Sequence, residues 1–535
     1  NTLYLNFLRH RMASVDAHFS GREKAKDVRT SNIVAARAVA DIVRTSLGPK
    51  GMDKLITTAD GQHIITNDGA TIVSKLDTTH PAAKMIIDLS RAQDVEAGDG
   101  TTSVVVMAGA ILGAAQELLE RGVHPSQIAT SFKMAQDKLK EILISIATPI
   151  NLTDRESLIK AAVTSLNSKV ISANSDTLAP LAVDAVLRVI DPATAVNVDL
   201  NQIKVVGKLG GTVEDTELVN GLIFSQGAVQ SAGGPSEING AKIGLIQYQL
   251  SPPKTNMENS VIVDDYTQID KVLKEERAYI QKLLRPIIKS GCNVLLIQKS
   301  ILRDAVSDIA LHYLSSRKIM VIKDIERTEV DFIAQSLGLT PVADPEEFSV
   351  EKLGTAENIT EIATPSGKII KITGVANPGK TVSILCRGSN RLVTDEAIRS
   401  LHDALCVIRS LVKYKYLIPG GGAPEMSVSV LLERWADTLS DEHGYCIREY
   451  ARSLQMLPTT LAENAGMNPV NIITKLRAAH AAGKHSYGIN VKKCYVSDMQ
   501  EENVMQPLLV SLSALSLATE AVRMILKIDD IVGVR

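Results

Sequence analysis

Apolar residues in this chain keep a helical period at both ends and a strand-like pattern between them, and few folds accommodate that order. Residues 32–47 place Ile33, Val34, Val39, Ile42, Val43 and Leu47 on a helical period, with Thr30, Ser31 and Asn32 as caps and Gly48-Pro49 as the stop. Pro81 to Ala97 and Thr102 to Arg121 read as further helices, the second ending at Gly122, and 413–535 is again mostly helical. Short β-branched runs dominate the middle: Ile203–Val206, Lys242–Ile246, Asn293–Ile297, Lys318–Ile322, Lys368–Ile372 and Val382–Leu385. From Asn293 to Ile322 strand, helix and strand alternate, an α/β pattern. The two ends can form one helical domain with the middle inserted into it, or two separate helical domains; the pattern admits both. No fixed-period repeat is visible.

Hydrophobic residues make up 45% of the chain but aromatics only 3%, so the cores are built from Ala, Val, Ile and Leu. That composition argues against the aromatic platforms that stack single-stranded nucleic acid. A net charge of −2 gives no electrostatic case for nucleic acid or an anionic membrane. At 535 residues, about two to four domains are expected. No uninterrupted apolar run reaches about 18 residues, so no transmembrane helix is predicted. The five cysteines form no CxxC pair, which argues against a zinc or redox motif, and their odd number fits a reducing, cytoplasmic compartment. At the start, the apolar run Leu3–Leu8 precedes Arg9, His10 and Arg11, the reverse of a signal peptide. We read it as a loosely ordered arm, with Met12 a candidate start.

The chemistry concentrates in a few short segments. In Gly98-Asp99-Gly100-Thr101-Thr102-Ser103, two glycines, a carboxylate and three hydroxyls open the apolar helix Val104–Leu119. Free backbone N–H groups at such a helix start suit phosphate, and Asp99 could hold a metal ion beside it. Leu47-Gly48-Pro49-Lys50-Gly51 and Gly420-Gly421-Gly422 free the backbone for close approach to a ligand, though each is weak alone. Asn67-Asp68-Gly69, between Ile64–Thr66 and Thr71–Val73, reads as a hairpin turn, with Asp68 simply a good turn residue. Asp403 falls at the edge of the polar face of a helix over Asp395–Val412, where the plain expectation is a solvated carboxylate. Gly374–Thr381 fits GxxxxGK[ST], but strands are expected on both sides and no helix follows; Asn377–Lys380 reads as a hairpin turn rather than a P-loop. Lys254–Leu284 is charged, and its helix candidate Asp270–Leu284 is either a solvated surface helix or a protruding element.

Taken together the segments resemble a known family. LGPKGMDK at 47–54, TNDGATI at 66–72, HPAAKM at 80–85, GDGTTSVVV at 98–106, GGGAPE at 420–425 and ILKIDDIV at 525–532 occur in the order found in group II chaperonins, the family that includes the eukaryotic cytosolic chaperonin. The resemblance covers the chain from about Asp27. It implies a mixed α/β multidomain fold. A helical equatorial domain comes from 27–150 and 413–535, and a split α/β intermediate domain from 151–222 and 373–412. The inserted α/β apical domain, 223–372, carries a helical protrusion at about 252–284 that forms a lid, and 1–26 is an arm.

The resemblance also implies roles. Asp99 would bind Mg²⁺. Ser46, Leu47, Gly48 and Pro49 would form the loop over the phosphates, facing Gly100, Thr101, Thr102 and Ser103. Asn167, Ser168 and Lys169 would approach the nucleotide, Lys169 sensing the γ-phosphate. Asp68 and Asp403 would serve hydrolysis, Asp403 polarising the attacking water from the hinge-like intermediate domain, so that hydrolysis is coupled to closure. Gly421, Gly488, Asp498 and Gln506 would lie near sugar and base. The implied protein is an ATP-driven chaperone subunit of a hetero-oligomeric double ring. Its apical domain, including a helix over Ser300–Leu314, would bind non-native polypeptides, actin and tubulin among them. A structural ring subunit with a weakly active ATP site, and a free-standing P-loop ATPase using Lys380, are the rival readings. Pro419 departs from the small residue expected before the triple glycine, and it fixes φ and removes a donor there.

Overall fold

The structure is a computed structural model describing residues 28–58, 61, 63–229, 234–252, 266–301, 303–375, 381–439 and 441–531. The N-terminal arm, residues 253–265 of the charged segment and Lys380 lie outside the described residues. The described chain separates into two compact units. One is drawn from Asn1–Ala179 and Ser400–Arg535, the other from Pro180–Arg399. The chain passes between them inside two helices, α7 and α11 below.

The N-terminal part of the first unit runs α1 (28–44), β1 (Lys54–Thr57), β2 (His63–Thr66), α2 (Gly69–Ser74), α3 (Pro81–Glu96), α4 (Thr101–Glu120), α5 (Pro125–Ile146), β3 (Thr148–Pro149) and α6 (Arg155–Leu166). After α7 (Ser175–Val189), the second unit holds β4 (Ile203–Leu209), β5 (Glu217–Val219), β6 (Gly221–Phe224), β7 (Glu237–Ile246), α8 (Tyr266–Lys289), β8 (Val294–Gln298), α9 (Asp308–Ser316), β9 (Met320–Ile325), α10 (Val330–Leu337), β10 (Gly354–Thr364), β11 (Gly367–Val375) and β12 (Val382–Gly388). Following α11 (Arg391–Lys413), the first unit closes with β13 (Tyr416–Pro419), α12 (Ala423–Ala436), α13 (Glu442–Ser453), α14 (Met456–Asn464), α15 (Pro469–Ala481), β14 (Tyr487–Asn490), β15 (Tyr495–Asp498), β16 (Met505–Pro507) and α16 (Leu508–Leu526).

The core of the first unit is helical and discontinuous in sequence. Helices α4 and α16 pack on one another, joined by α3, α5 and α13. Val104, Val105, Met107, Ala108, Ile111, Leu112, Ala115 and Leu118 of α4 are all buried, which is why a β-branched run of low helix propensity stays helical. Both α4 and α16 are long and apolar enough to cross a membrane, and their windows are mostly buried inside this core. Pro419 sits at the end of β13, paired with Met505, and the Gly420 N–H takes up the ladder to Val504 O at 2.9 Å. The missing donor therefore falls where a strand tolerates it.

In the second unit, a six-stranded sheet has the order β6-β11-β10-β7-β8-β9, and a three-stranded sheet the order β4-β12-β5. The strand–helix–strand pattern at 293–322 is observed: β8 and β9 are parallel and joined through α9. Residues 269–279 of α8 are exposed on almost every side, and burial begins at Ile280.

Three local expectations are corrected. The Asn67–Gly69 turn is no hairpin. Strand β2 pairs backwards with β1, and Gly69–Ser74 is the short helix α2 with Asp68 as its N-cap. Asp before Gly signals a turn and a helix start alike, and packing of buried Ile72 and Val73 selects the helix. Strands do flank Gly374–Thr381, but they form no hairpin: β11 pairs with β6 and β10, whereas β12 pairs with β4 and β5. The helix expected over Ser300–Leu314 starts only at Asp308, capped by Ser307 Oγ, which accepts from Ala310 N.

Candidate functional site

A cavity of about 480 Å³ lies within the first unit. Of the residues singled out in the sequence, Ser46, Leu47, Gly48, Pro49, Asp99, Gly100, Thr101, Thr102, Ser103, Asn167, Ser168, Lys169, Gly421 and Gln506 line it. Asp68, Asp403, Gly488 and Asp498 do not. Two of these four, Asp68 and Asp403, reach it through Lys169. Asp498 is occupied elsewhere, accepting from Ser486 Oγ at 2.8 Å and from the Gln500 N–H at 2.9 Å.

Local chemistry forms the polar end. Gly100 is the N-cap of α4 at φ 75°, a left-handed conformation that favours glycine, and no side chain caps the helix. The first N–H groups of α4 are therefore open to an anion. Asp99 Oδ1 accepts from Gly100 N at 2.7 Å, and Gln93 Nε2 donates to Asp99 O at 2.8 Å, which fixes the turn. Across the cavity, the loop after α1 is held by Asn464 Nδ2, which donates to Arg44 O and to Leu47 O. Gly48 has φ 85°, a left-handed conformation that favours glycine, and a Cβ there would lie 2.5 Å from Leu461 Cδ2 and force that side chain to shift.

Beside α4 two carboxylates, Asp68 and Asp403, meet one cation, Lys169, on whose charge Asp99 also acts. Lys169 Nζ pairs with Asp403 Oδ2 and lies 3.8 Å from Asp68 Oδ1. All three side chains are almost fully buried, so the solvated Asp403 expected from the helix pattern is corrected. A carboxylate at the edge of a polar face is buried here because a cation from α6's C-terminal turn meets it. Asp68 Oδ2 accepts from Thr71 N at 2.9 Å and Thr71 Oγ1 at 2.7 Å, and Oδ1 from Thr101 Oγ1 at 3.0 Å.

These contacts push the two carboxyls apart. Burial would raise Asp68, but Lys169 and the Thr71 and Thr101 bonds outweigh it and hold Asp68 below its ordinary range. Burial raises Asp403 well above its ordinary range, and the charges of Asp68 and Asp99 add to this; Lys169 only partly offsets them. Burial alone would lower Lys169, yet the three carboxylates keep it firmly protonated.

Side-chain hydrogen bonds position both ends of the cavity. Asn67 Nδ2 donates to Ser168 O and ties the Lys169 loop to the Asp68 segment. Gln506 Nε2 donates to Ser511 Oγ at 2.8 Å, and Ser511 Oγ donates to Glu425 Oε1 at 3.1 Å. Apolar side chains, Leu461, Ile489, Met499 and Val504, complete this other end. Asn67 and Glu425 belong to the motifs TNDGATI and GGGAPE, and Gln506 is a residue the resemblance implies, whereas Ser511 and the apolar side chains carry no sequence signal.

Among the described residues no group of three or more His, Cys, Asp or Glu is arranged to hold a metal. A single carboxylate such as Asp99 nevertheless suits a hard cation that takes its remaining ligands from phosphate and water.

A helical unit built from both chain ends thus carries an uncapped helix start and a buried carboxylate–lysine cluster beside one cavity. Residues 39–535 match the TCP-1/cpn60 chaperonin family, and the chain belongs to it. Its function is that family's, ATP-dependent chaperoning of other polypeptides. Among its relatives are proteins named T-complex protein 1 subunit delta. The one from Dictyostelium discoideum is 59% identical over 517 residues, 97% of each chain. That from Arabidopsis thaliana is 57% identical, covering 97% of this chain and 96% of the relative. That from Homo sapiens is 56% identical, with the same coverage.

Proposed function

We propose that this chain is an ATP-hydrolysing, delta-type subunit of a hetero-oligomeric double-ring chaperonin, and that its cavity is the ATP site. One observation carries the reading. Two buried carboxyls, Asp68 and Asp403, share one lysine beside the open N-terminus of α4. Sites that divide acid and base work between two carboxyls are built this way. The cavity's size fits a nucleotide, with N–H donors at one end and apolar walls at the other.

The open N–H groups of Thr102 and Ser103 would hold phosphate oxygens, with Ser46, Leu47, Gly48 and Pro49 closing over them. Asp99 would hold Mg²⁺, which supplies charge neutralisation on those oxygens. Asp68, kept ionised, would belong to the hydrolytic centre, and the attacking water would be polarised by Asp403. Asp403, the more basic carboxyl, would take its proton, and Lys169 would sense the γ-phosphate. Asn167 and Ser168 would flank the phosphates, and Gly421 and Gln506 the sugar and base, with Gly488 and Asp498 supporting that end.

Asp403 is carried by α11, the helix through which the chain returns from the second unit to the first, which supports coupling hydrolysis to domain closure. In this reading 27–150 with 413–535 is equatorial, 151–222 with 373–412 intermediate, and 223–372 apical. The α8 region would serve as lid. Partners are the other ring subunits and non-native clients, cytoskeletal proteins among them, in the cytoplasm.

The test is Asp403→Ala in single-turnover hydrolysis, with ATP binding measured in parallel. Binding is retained, because the phosphates replace Asp403 as the partner of Lys169, and hydrolysis falls about 10²–10⁴-fold. Unchanged turnover would remove Asp403 from the role.

A further inference from the structure

The apolar end of the cavity holds a carboxyl that phosphate chemistry does not explain. Glu425, in the first turn of α12, is 6% exposed and lines the cavity, and its Oε2 has no hydrogen-bond partner among the described residues. A buried carboxyl so placed is costly, which asks for a role.

Its other oxygen is engaged. Oε1 accepts from Ser511 Oγ, and Ser511 Oγ accepts from Gln506 Nε2. A hydroxyl has one proton. Ser511 spends it on Glu425, so toward Gln506 it can only accept. The Gln506 amide must then turn its NH₂ to Ser511, which leaves Oε1 to the cavity that Gln506 lines.

We infer that Glu425 is a positioning residue for nucleoside recognition: through Ser511 it sets the Gln506 amide so that Oε1 accepts from a sugar hydroxyl of the bound nucleotide. The inference rests on the nucleotide reading of the cavity. Burial raises the Glu425 pKa above its ordinary range; Oε1 accepts from Ser511 as a carboxylate oxygen, and equally as the carbonyl oxygen of the acid when the proton sits on Oε2. Without Glu425, the Ser511 proton is free to go to Gln506 Oε1, and the amide turns its donors to the cavity.

The experiment measures binding of ATP, 2′-deoxy-ATP and 3′-deoxy-ATP to the full-length chain by calorimetry. The unsubstituted chain disfavours at least one deoxy analogue by about five- to tenfold, as expected for one neutral hydrogen bond. Glu425→Met weakens ATP by a similar factor, leaves that analogue unchanged and brings the ratio close to unity. Adding Gln506→Glu restores the preference, since a carboxylate presents only acceptors whichever way it turns; a packing defect would not be rescued. Ser511→Ala breaks the same relay with Glu425 in place, and gives the same loss should Glu425→Met fail to fold. No ATP binding by the unsubstituted chain would overturn the nucleotide reading itself. ATP binding without discrimination, or discrimination that survives both Glu425→Met and Ser511→Ala, would overturn the relay alone.

Discussion

His480 shows how burial sets a side chain's chemistry. It is fully buried, its Nε2–H donates to Tyr487 O at 2.8 Å, and Nδ1 accepts from Ser427 Oγ at 2.9 Å. This fixes the neutral form, and desolvation lowers its pKa from 6.5 to about 4. The unfolded chain takes up a proton near pH 6.5 that the native state refuses until about pH 4. The stability His480 protects is therefore complete above pH 6.5 and lost progressively as pH falls toward 4, about 3 kcal/mol in all. Urea midpoints measured at pH 7 and pH 5 should fall with acid in the unsubstituted chain. In His480→Gln the midpoint should start lower and depend less on pH. Equal slopes would mean that His480 titrates normally when folded. Nothing in the sequence marks this histidine, because its Ser427 partner comes from α12, separated from α15 along the chain by α13 and α14.

At the scale of elements, α2 joins stability to the site. Asp68 caps this six-residue helix through the Thr71 N–H, and the same carboxylate reaches Thr101 at the start of α4 and Lys169 after α6. The two duties separate by substitution. Asp68→Asn keeps an accepting oxygen for the cap and loses the charge; Asp68→Ala loses both. Each variant deprives Lys169 of the same partner, so that cost cancels in the comparison. Thermal unfolding should place Asp68→Ala about 1 kcal/mol below Asp68→Asn, while ATP hydrolysis falls in both. Equal stability would deny the cap, and a fully active Asp68→Asn would deny the charge. The turn signal around Asp68 was legible in the sequence, but its reading as a hairpin failed because Asn-Asp-Gly serves two structures. Only the packing of Ile72 and Val73 decides between them. Gly98–Ser103 is legible as a helix start because that signal is local, glycines followed by an apolar run, and Gly100 takes the left-handed N-cap. Asp403 was misread as solvated because its partner, Lys169, lies far from it in sequence.

At the scale of the molecule, periodicity revealed helices at both ends but could not say that they share a core. Helix α4 and helix α16 meet only through tertiary packing, and no local pattern encodes that contact. The same limit applies to what lies outside the chain, where exposed apolar surface is the better guide. Met52 and Leu55, at and beside the start of the β1–β2 hairpin, are 70% and 66% exposed, and Val34 and Ile42 of α1 are also exposed. Scattered apolar residues on a surface are ordinary, but two large ones close together on a hairpin are where a partner chain would bury the most apolar surface. If the chain works as a ring subunit, native sizing from cell extract should find it far above its own 57.6 kDa, together with chains of different sequence. Met52→Glu with Leu55→Glu adds two charges where a partner would cover apolar surface, and should move the chain toward the monomer position. ATP binding by that monomer should persist, because the cavity is lined entirely by the chain's own first unit. A monomer at every concentration without substitution would sink the ring reading. A charged hairpin that still assembles would place the contact elsewhere on the surface.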